Sequence, residues 1–285
     1  MKPKGSVRLA GALVVFATIA GASSKARADS AAPYEKSRHH LFDPTPADRM
    51  RPFNADRPGA TNSPQTVDAG HFKLESGLFN STHEGGENGD PGKTDYSVNS
   101  LVLGLGLLDS LELQAGFASY VHPAVGSPGV GDTTIALKQN LVGNEAAAVA
   151  VAVMPSVKLA THSGDAGTPG VEGGVSLPLA FTLPAEWSLG VMPEWDLLRN
   201  AEDGGRHSEY FAGLVLGHAI VGDLSGLAQG SGRYTSDVGP GWSVDVGGAL
   251  SYMISPNVQL DADVRFGVTT SAPDLSVSAG IVFRH

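Results

Sequence analysis

Residues 257–268 alternate between apolar and polar side chains, and this pattern constrains the fold more than any other feature of the chain. The even positions are apolar and comprise Val258, Leu260, Ala262, Val264, Phe266 and Val268. The odd positions between them include Gln259, Asp261, Asp263 and Arg265. Successive side chains of a β-strand point to opposite faces of a sheet, so the pattern predicts a strand with one apolar and one polar face.

The same alternation recurs along most of the chain. Six other segments show it clearly, namely 110–122, 131–141, 171–183, 187–197, 242–254 and 274–284. Five show it more weakly, namely 71–79, 95–106, 146–159, 208–221 and 224–234. Most of these twelve segments are 9–14 residues long. A tilted strand needs about 9–11 residues to cross a bilayer, whereas soluble strands average about 5–6, so the lengths favour a membrane barrel.

The links between the predicted strands alternate between long and short. The long links are 80–93, 122–130, 161–170, 199–207, 235–241 and 269–273. The short links lie near 108–110, 143–144, 184–186, 222–223 and 255–257. Outer-membrane barrels sort their links in this way, and an even strand number leaves both chain ends in the periplasm. Because lipid cannot satisfy an open sheet edge, we predict an all-β, transmembrane, antiparallel up-and-down β-barrel of about twelve strands in the outer membrane.

The first 69 residues differ from the rest of the chain. Residues 1–28 combine a basic start, a short apolar run and an Ala-Arg-Ala site, which predicts a cleaved signal peptide rather than an uncleaved anchor. Residues 29–69 contain six prolines and little apolar periodicity. We expect them to form an irregular leader that stays in the periplasm or partly plugs the lumen. Residues 70–285 then form the barrel.

Charge limits the classes of partner. The chain has 29 acidic and 19 basic residues, and removal of 1–28, with its five basic residues, would change the net charge from −10 to −15. This balance argues against nucleic acid, whose phosphates require clustered Lys and Arg. It suits a soluble exported β protein as well as a barrel, so that reading stays open. With no Cys in the chain, disulfides cannot stabilise the fold, and a closed sheet is one alternative.

One stretch resembles a known family. The sequence DRPGATNSPQTV at 56–67 and GHFKLESG at 70–77 resemble the opening of outer-membrane transporters named for the meta-pathway of phenol degradation. The motif begins with Asp56, Arg57, Pro58 and Gly59. Segments 131–138 and 155–159 resemble two later family segments, although Ala160-Thr161-His162 stands where Pro-Thr-Gly is usual. The similarity covers about 56–285 and implies a barrel with a transport role, without identifying a substrate.

The polar parity of the strands is expected to face the lumen. It carries nine acids, Glu75, Glu112, Asp132, Glu172, Glu194, Asp196, Asp245, Asp261 and Asp263. It also carries five bases, Lys73, Lys138, Arg233, Arg265 and Arg284. An excess of acids favours cations or neutral solutes over anions. The alternative is that most of these charges pair with one another and only order the lumen.

Aromatic residues fall near the predicted strand ends, where barrels carry interfacial girdles. The candidates are Phe79, Tyr96, Trp187, Trp195, Trp242 and Tyr252. Ordinary packing is the alternative for each of them. The last strand offers Phe283 or His285 as the terminal aromatic that the barrel-insertion machinery reads. The expected partners are therefore outer-membrane lipid, that machinery and small solutes.

Catalysis and metal binding have little support in the sequence. No G-x-S-x-G motif occurs, and the histidines near strand ends lack a diagnostic nucleophile or carboxylate. His39-His40 lies in the irregular leader, where adjacent histidines are usually just solvated. The acidic loop Glu84–Asp90 could bind Ca²⁺ weakly, but it lacks the ordered ligand spacing of an EF-hand loop. We therefore expect no enzyme activity, no cofactor and no metal. The predicted function is passive passage of small solutes, cationic or neutral and including aromatic ones. A structural or adhesive barrel whose outer loops bind a partner is the alternative.

Overall fold

Thirteen strands form in the residues that the computed structural model describes, which are 35–86, 92–145, 147–200, 204–236 and 241–285. The predicted signal peptide lies outside these residues. The strands are β1 Phe72–Glu84, β2 Lys93–Leu108, β3 Leu111–His122, β4 Thr133–Val142, β5 Val149–Leu159, β6 Glu172–Ser176, β7 Leu179–Thr182, β8 Ser188–Arg199, β9 Arg206–Val221, β10 Leu224–Thr235, β11 Gly241–Ser255, β12 Val258–Gly267 and β13 Leu275–Arg284. Three 3₁₀ turns are added at Lys36–Arg38, Ala47–Arg49 and Pro184–Glu186.

The sheet closes on itself. Each strand pairs antiparallel with its neighbours, β1 pairs with β13, and β4 pairs with β5. β6 and β7 both lie between β5 and β8, so together they fill one position of the barrel. The predicted all-β, twelve-strand antiparallel barrel is therefore confirmed. Every backbone group in such a closed sheet can find a partner, as lipid requires.

Two predicted strands differ in detail. The strand predicted at 71–79 extends to Glu84, where Glu84 pairs with Lys93, so the link predicted at 80–93 is shorter than expected. Residues 80–84 of this extension are all polar. They lack the apolar–polar alternation on which the prediction relied. The strand predicted at 171–183 is interrupted at Leu177 and Pro178. Proline has no N–H to donate to a ladder, and the carbonyl of Pro178 instead accepts from Ala152 N at 2.9 Å.

Long and short links lie at opposite ends of the barrel. We call the end with the long links the loop end and the end with the short links the turn end. The first strand starts, and the last strand finishes, at the turn end, where His285 N and O bond with Phe72. None of the helical turns among the described residues has the length or apolar character needed to cross a membrane.

Candidate functional site

The inner face of the barrel carries the polar side of the alternating strands. All fourteen ionisable residues predicted for the lumen lie on this parity or, for Asp132, directly before β4. Seven are buried, namely Lys73, Glu75, Glu112, Lys138, Glu172, Asp261 and Arg284. Six are half-buried, namely Asp132, Glu194, Asp196, Asp245, Asp263 and Arg265, and Arg233 is exposed. The alternate parity is apolar and exposed, as a lipid-facing surface should be.

The leader runs inside the barrel, and Asp56 bonds it to three strands. The Asp56 carboxylate accepts from Lys138 Nζ at 2.7 and 2.9 Å, from Lys73 Nζ at 3.2 Å and from Gln114 Nε2 at 2.9 Å. The Asp56 backbone N–H donates to Glu75 Oε1 at 2.9 Å. We call these strand residues, with Glu112, the charged wall. They join the leader to β1, β3 and β4.

The protonation of Asp56 follows from these contacts. Burial alone would raise the pKa of the Asp56 carboxyl, because a charge is costly away from water. The ammonium groups of Lys138 and Lys73 outweigh burial and hold the pKa of Asp56 well below its usual range. Asp56 is therefore an anion balanced by two buried cations at neutral pH.

The next residues of the motif shape a short loop. Arg57 Nη2 donates to Asp261 Oδ1 on β12 at 2.8 Å. The Asp56 carboxylate also accepts from Ser63 N at 2.8 Å, which closes the loop over residues 56–63. Gly59 has a φ of +126°, a left-handed conformation that favours glycine, and a Cβ there would lie 3.2 Å from Val215. The family motif therefore positions the leader inside the lumen.

The opposite side of the lumen is built from small side chains. Ala150, Ala180, Gly190 and Val215 form one row across β5, β7, β8 and β9. On β9, a Cβ at Gly213 would lie 2.2 Å from the carbonyl oxygen of Ala60. We call these five residues the small-residue wall. The leader packs against it through close contact, without ion pairs to it.

A second ionic network holds the leader at the turn end. Arg51 pairs with Asp109 and, at 3.1 Å, with Glu145, both in links between strands. Lys36 bonds Asp68 at 3.2 Å and Glu145 at 3.0 Å. Burial raises the pKa of the Glu145 carboxyl, but the hydrogen bond from Lys36 and the charge of Arg51 lower it by more, so that the pKa lies below its usual value. The leader is thus attached at the turn end as well as in mid-lumen.

The loop end of the lumen is rich in carboxylates. Glu194 and Asp196 lie two residues apart on β8, and Arg233 nearby is already paired with Glu209. Asp132 contacts His162 Nδ1 at 2.7 Å. Burial raises the pKa of Asp132, but hydrogen bonds from the Thr168 N–H and from His162 lower it overall. These carboxylates face the part of the lumen that solutes would enter from the loop end.

A cavity of about 590 Å³, which we call the outer cavity, lies above the leader loop. Its lining joins leader residues Asp56, Arg57 and Asn62 to the barrel interior at Glu194 and Met154. The cavity therefore places charged, amide and apolar groups around one space. Such a mixed lining can bind or pass a small polar molecule.

Four of the predicted interfacial aromatics lie near a strand end, namely Tyr96, Trp187, Trp242 and Tyr252, whereas Phe79 and Trp195 lie further inside β1 and β8. Phe79, Trp195, Trp242 and Tyr252 are 43–55% exposed on the outer parity. A bulge at Leu78 on β1 shifts the alternation, so that Leu78 and Phe79 are both exposed. Tyr96 and Trp187 are half-buried against histidines, with centroid distances of 4.9 Å to His122 and 4.6 Å to His218, respectively. On the last strand, the Phe283 and His285 rings are stacked with centroids 6.5 Å apart.

Several interior residues were absent from the predicted set. Lys158, Glu209 and Met154 lie in weakly alternating segments, so no parity was assigned to them. Met192 is apolar but faces inward and is only 6% exposed. Asn62 lies in the leader, where no periodicity indicates a side. Only the motif around Asp56 offered a signal for the leader's contacts.

One group of carboxylates could in principle hold a metal ion. Oxygens of Asp68, Asp109 and Glu145 lie within 4.8 Å of one another. The Lys36 ammonium and Arg51 guanidinium already bond to these oxygens. The group therefore acts as the acidic part of the turn-end network in this structure.

Comparisons with known proteins agree with the fold. A family model described as “Putative MetA-pathway of phenol degradation” matches residues 55–285. No curated protein matches the chain in sequence. Among solved structures, an outer-membrane channel from Pseudomonas putida F1 is 13% identical with a TM-score of 0.59, covering 85% of this chain and 99% of that one. The shared fold and the family match agree with an outer-membrane location.

Two more distant structures were also found. The translocator domain of the autotransporter NalP from Neisseria meningitidis is 11% identical with a TM-score of 0.42, covering 75% of this chain and 87% of that one. OmpT of Vibrio cholerae with loop L8 deleted is 9% identical with a TM-score of 0.41, covering 75% and 98%, respectively.

Proposed function

The chain belongs to the family described by the MetA pathway of phenol degradation, and on this premise we propose that its barrel is an outer-membrane channel for passive passage of small solutes. The outer cavity inside the closed barrel, lined by both wall and leader residues, is the observation that carries this proposal. Its polar groups suit a solute that keeps part of its hydration. The channel fold of the Pseudomonas putida F1 protein is consistent with the same function.

Conductance and solute influx test the proposal. Purified protein in planar bilayers should produce discrete conductance steps, and liposomes that contain it should swell in small neutral solutes. Absence of both, in protein that shows the heat-dependent gel mobility of a folded barrel, would contradict the channel. That result would favour the adhesive alternative.

We further propose that the leader, predicted at residues 29–69, acts as a partial plug after removal of a signal peptide at 1–28. Its attachment at both Asp56 and Arg51 supports this role. Deletion of residues 35–55 together with Asp56→Ala should increase conductance if the leader obstructs the lumen. An unchanged conductance would indicate that the leader does not limit passage.

The carboxylates of the loop end support a preference for cations and neutral solutes over anions. Their local excess over bases attracts cations and repels anions within about 8–10 Å at physiological salt. The reversal potential in a KCl gradient measures this preference. A potential that indicates anion selectivity would contradict it.

Membrane insertion is proposed to use the last strand. Phe283 is exposed on the outer parity next to His285, as a readable terminal aromatic would be. Phe283→Ala should reduce the fraction of chain that reaches the outer membrane more than His285→Ala does. Equal assembly of both variants and of wild type would argue against a terminal signal. We likewise propose that the predicted interfacial aromatics lie at the boundaries between lipid and water.

A further inference from the structure

Two more cavities continue from the outer cavity toward the turn end. The wall cavity, about 330 Å³, lies between leader residues 54–65 and the small-residue wall. The turn-end cavity, about 500 Å³, lies between leader residues 51–54 and the link before β5. The wall and turn-end cavities share four lining residues, Asn54, Gln65, Ala147 and Thr182. The three cavities therefore form a series along one side of the barrel.

The series narrows at one residue. Asn62 is the lining residue that the outer and wall cavities have in common among the described residues. Its backbone N–H donates to Met192 Sδ at 3.4 Å, and its Nδ2 donates to Met154 Sδ at 3.5 Å. Both methionines are nearly buried, at 6% and 9% exposed. Thioether sulfur is a weak acceptor on a flexible side chain, so these contacts can open at low energetic cost.

The wall cavity differs from the outer cavity in charge. Asp56, Arg57, Glu75, Asp132 and Glu194 line the outer cavity. In the part of the chain that the structure describes, no ionisable side chain lines the wall cavity. An ion that enters it would lose hydration without gaining a charged partner, which is unfavourable. A neutral molecule with an apolar face would meet alanine and valine side chains, as well as amides.

We infer that small uncharged solutes with an apolar face cross the barrel between the leader and the small-residue wall, and that Asn62, Met154 and Met192 form the narrowest point of this route. The inference rests on the proposed channel function and specifies its substrate class. The loop-end carboxylates concentrate cations at the entrance, whereas the wall cavity selects for lack of charge. The leader need not leave the barrel for such a solute to pass.

Widening the narrow point is the first test. Full-length protein in liposomes is assayed for swelling in an uncharged aryl glycoside, which does not cross lipid freely. The double variant Met154→Ala, Met192→Ala should raise the influx rate at least about twofold by enlarging the opening. Met253→Ala on β11 is the matched control, because among the described residues Met253 lines none of the three cavities and, unlike Met154 and Met192, has no bond to Asn62. Equal rates for all three proteins would overturn the route.

Blocking the narrow point is the second test. It does not require the protein to fold with alanine at both methionine positions. The chain has no cysteine, so Met154→Cys and Met192→Cys each introduce a single thiol. Modification by a neutral methanethiosulfonate reagent should reduce aryl glycoside influx by more than about half, since the adduct fills the opening. Met253→Cys is treated in parallel and should keep its influx. Modification verified by mass, with influx unchanged at positions 154 and 192, would overturn the route.

Wild-type results separate this inference from the channel itself. If wild type passes neither ions nor the aryl glycoside, both the channel function and the route are wrong. If wild type passes solutes but the methionine variants behave like the Met253 controls, only the route is wrong. Faster influx in the double variant, together with block of the cysteine variants, supports both.

Discussion

The charged wall and the small-residue wall hold opposite sides of the same leader by different means. On the charged wall, Lys73 and Lys138 bond Asp56 at 2.7–3.2 Å. On the small-residue wall, Gly213 leaves space for the backbone of Ala60. Ionic hydrogen bonds are directional and specify position, whereas close packing specifies only shape. The leader is therefore located by one wall and accommodated by the other.

This difference indicates where a solute can pass. Separating the leader from the charged wall would leave buried charges without partners, which is costly. Separating it from the small-residue wall breaks contacts to aliphatic groups, and separating it from the neighbouring Met154 and Met192 breaks weak hydrogen bonds to sulfur. Movement of the leader or of a solute should therefore occur on the small-residue side. The following substitutions test this contrast, beginning with the largest expected effect.

Breaking the charged wall should have the largest effect. Asp56→Ala leaves Lys138 buried without its carboxylate, and loss of one partner from a buried pair costs about 3–5 kcal/mol. We expect a lower free energy of unfolding in urea and faster proteolysis of the leader. Asp48→Ala is the control, since Asp48 lies in the same leader with a side chain 76% exposed. Equal protease protection of the leader in both variants would contradict the role of Asp56.

Reversing the two faces of a strand should have the next largest effect. Val264→Arg places a charge on the lipid-facing parity of β12 and should cost about 2–4 kcal/mol near the bilayer midplane. Asp263→Arg, on the lumen parity, should cost less and change ion selectivity instead. Urea unfolding in lipid and reversal potentials measure the two outcomes. Similar costs at both positions would refute the assignment of faces.

Filling the small-residue wall should have an intermediate effect. A Cβ at Gly213 would lie 2.2 Å from Ala60 O, so Gly213→Val must displace the leader, at a cost of about 1–3 kcal/mol. Gly230→Val on β10 is the control, because a Cβ there would have no neighbour within 3.5 Å. Limited proteolysis should cut the leader faster than in wild type in Gly213→Val but not in Gly230→Val. Protection equal to wild type would show that the wall does not contact the leader closely.

Neutralising a loop-end carboxylate should change stability little and selectivity more. Glu194→Gln keeps the shape of the side chain and removes its ionisable group near the entrance. We expect the free energy of unfolding to change by less than about 1 kcal/mol, because Glu194 is half-buried. The cation preference of this variant, measured as the reversal potential, should be lower than that of the control variant Ser243→Ala on β11, which removes no ionisable group. A cation preference equal to that of wild type would show that Glu194 does not contribute to selectivity at the entrance.

Mild acid should have the smallest effect. The folded-state pKa of Asp56 is held below the ordinary value of about 3.9. Its contribution to attachment is therefore present above that value and is lost only as the pH falls through the lower folded-state pKa. Leader protection should stay constant from about pH 7 to pH 5. Asp56→Asn should remove the acid dependence, and leader release near pH 5 in wild type would contradict the pKa direction.

Much of the barrel could be predicted because the residues of each strand alternate between apolar side chains that face lipid and polar side chains that face the lumen. Residues 257–268 are an example, since lipid on one side and a polar interior on the other leave no choice of face. The break at Pro178 and the extension of β1 to Glu84 were missed. Both depend on backbone pairing with neighbouring strands, which side-chain polarity does not report.

The candidate site was only half accessible to such reasoning. Lys73 and Lys138 could be assigned to the interior from parity alone. Their partner Asp56 lies at least 17 residues from each of them in the chain, in a segment without periodicity. Met154, Met192 and Asn62 meet only because a closed barrel brings β5, β8 and the leader together.

The sequence by itself determined that the chain alternates, about how long most of its strands are and which face of each strand is polar, because the solvent on either side of a strand acts on single residues. Only the tertiary structure decided that the leader occupies the lumen, that Asp56 balances two buried lysines and that small residues line the other side. Those features depend on which distant residues are neighbours once the sheet closes. Closure is a property of all the strands together, so no local pattern encodes it.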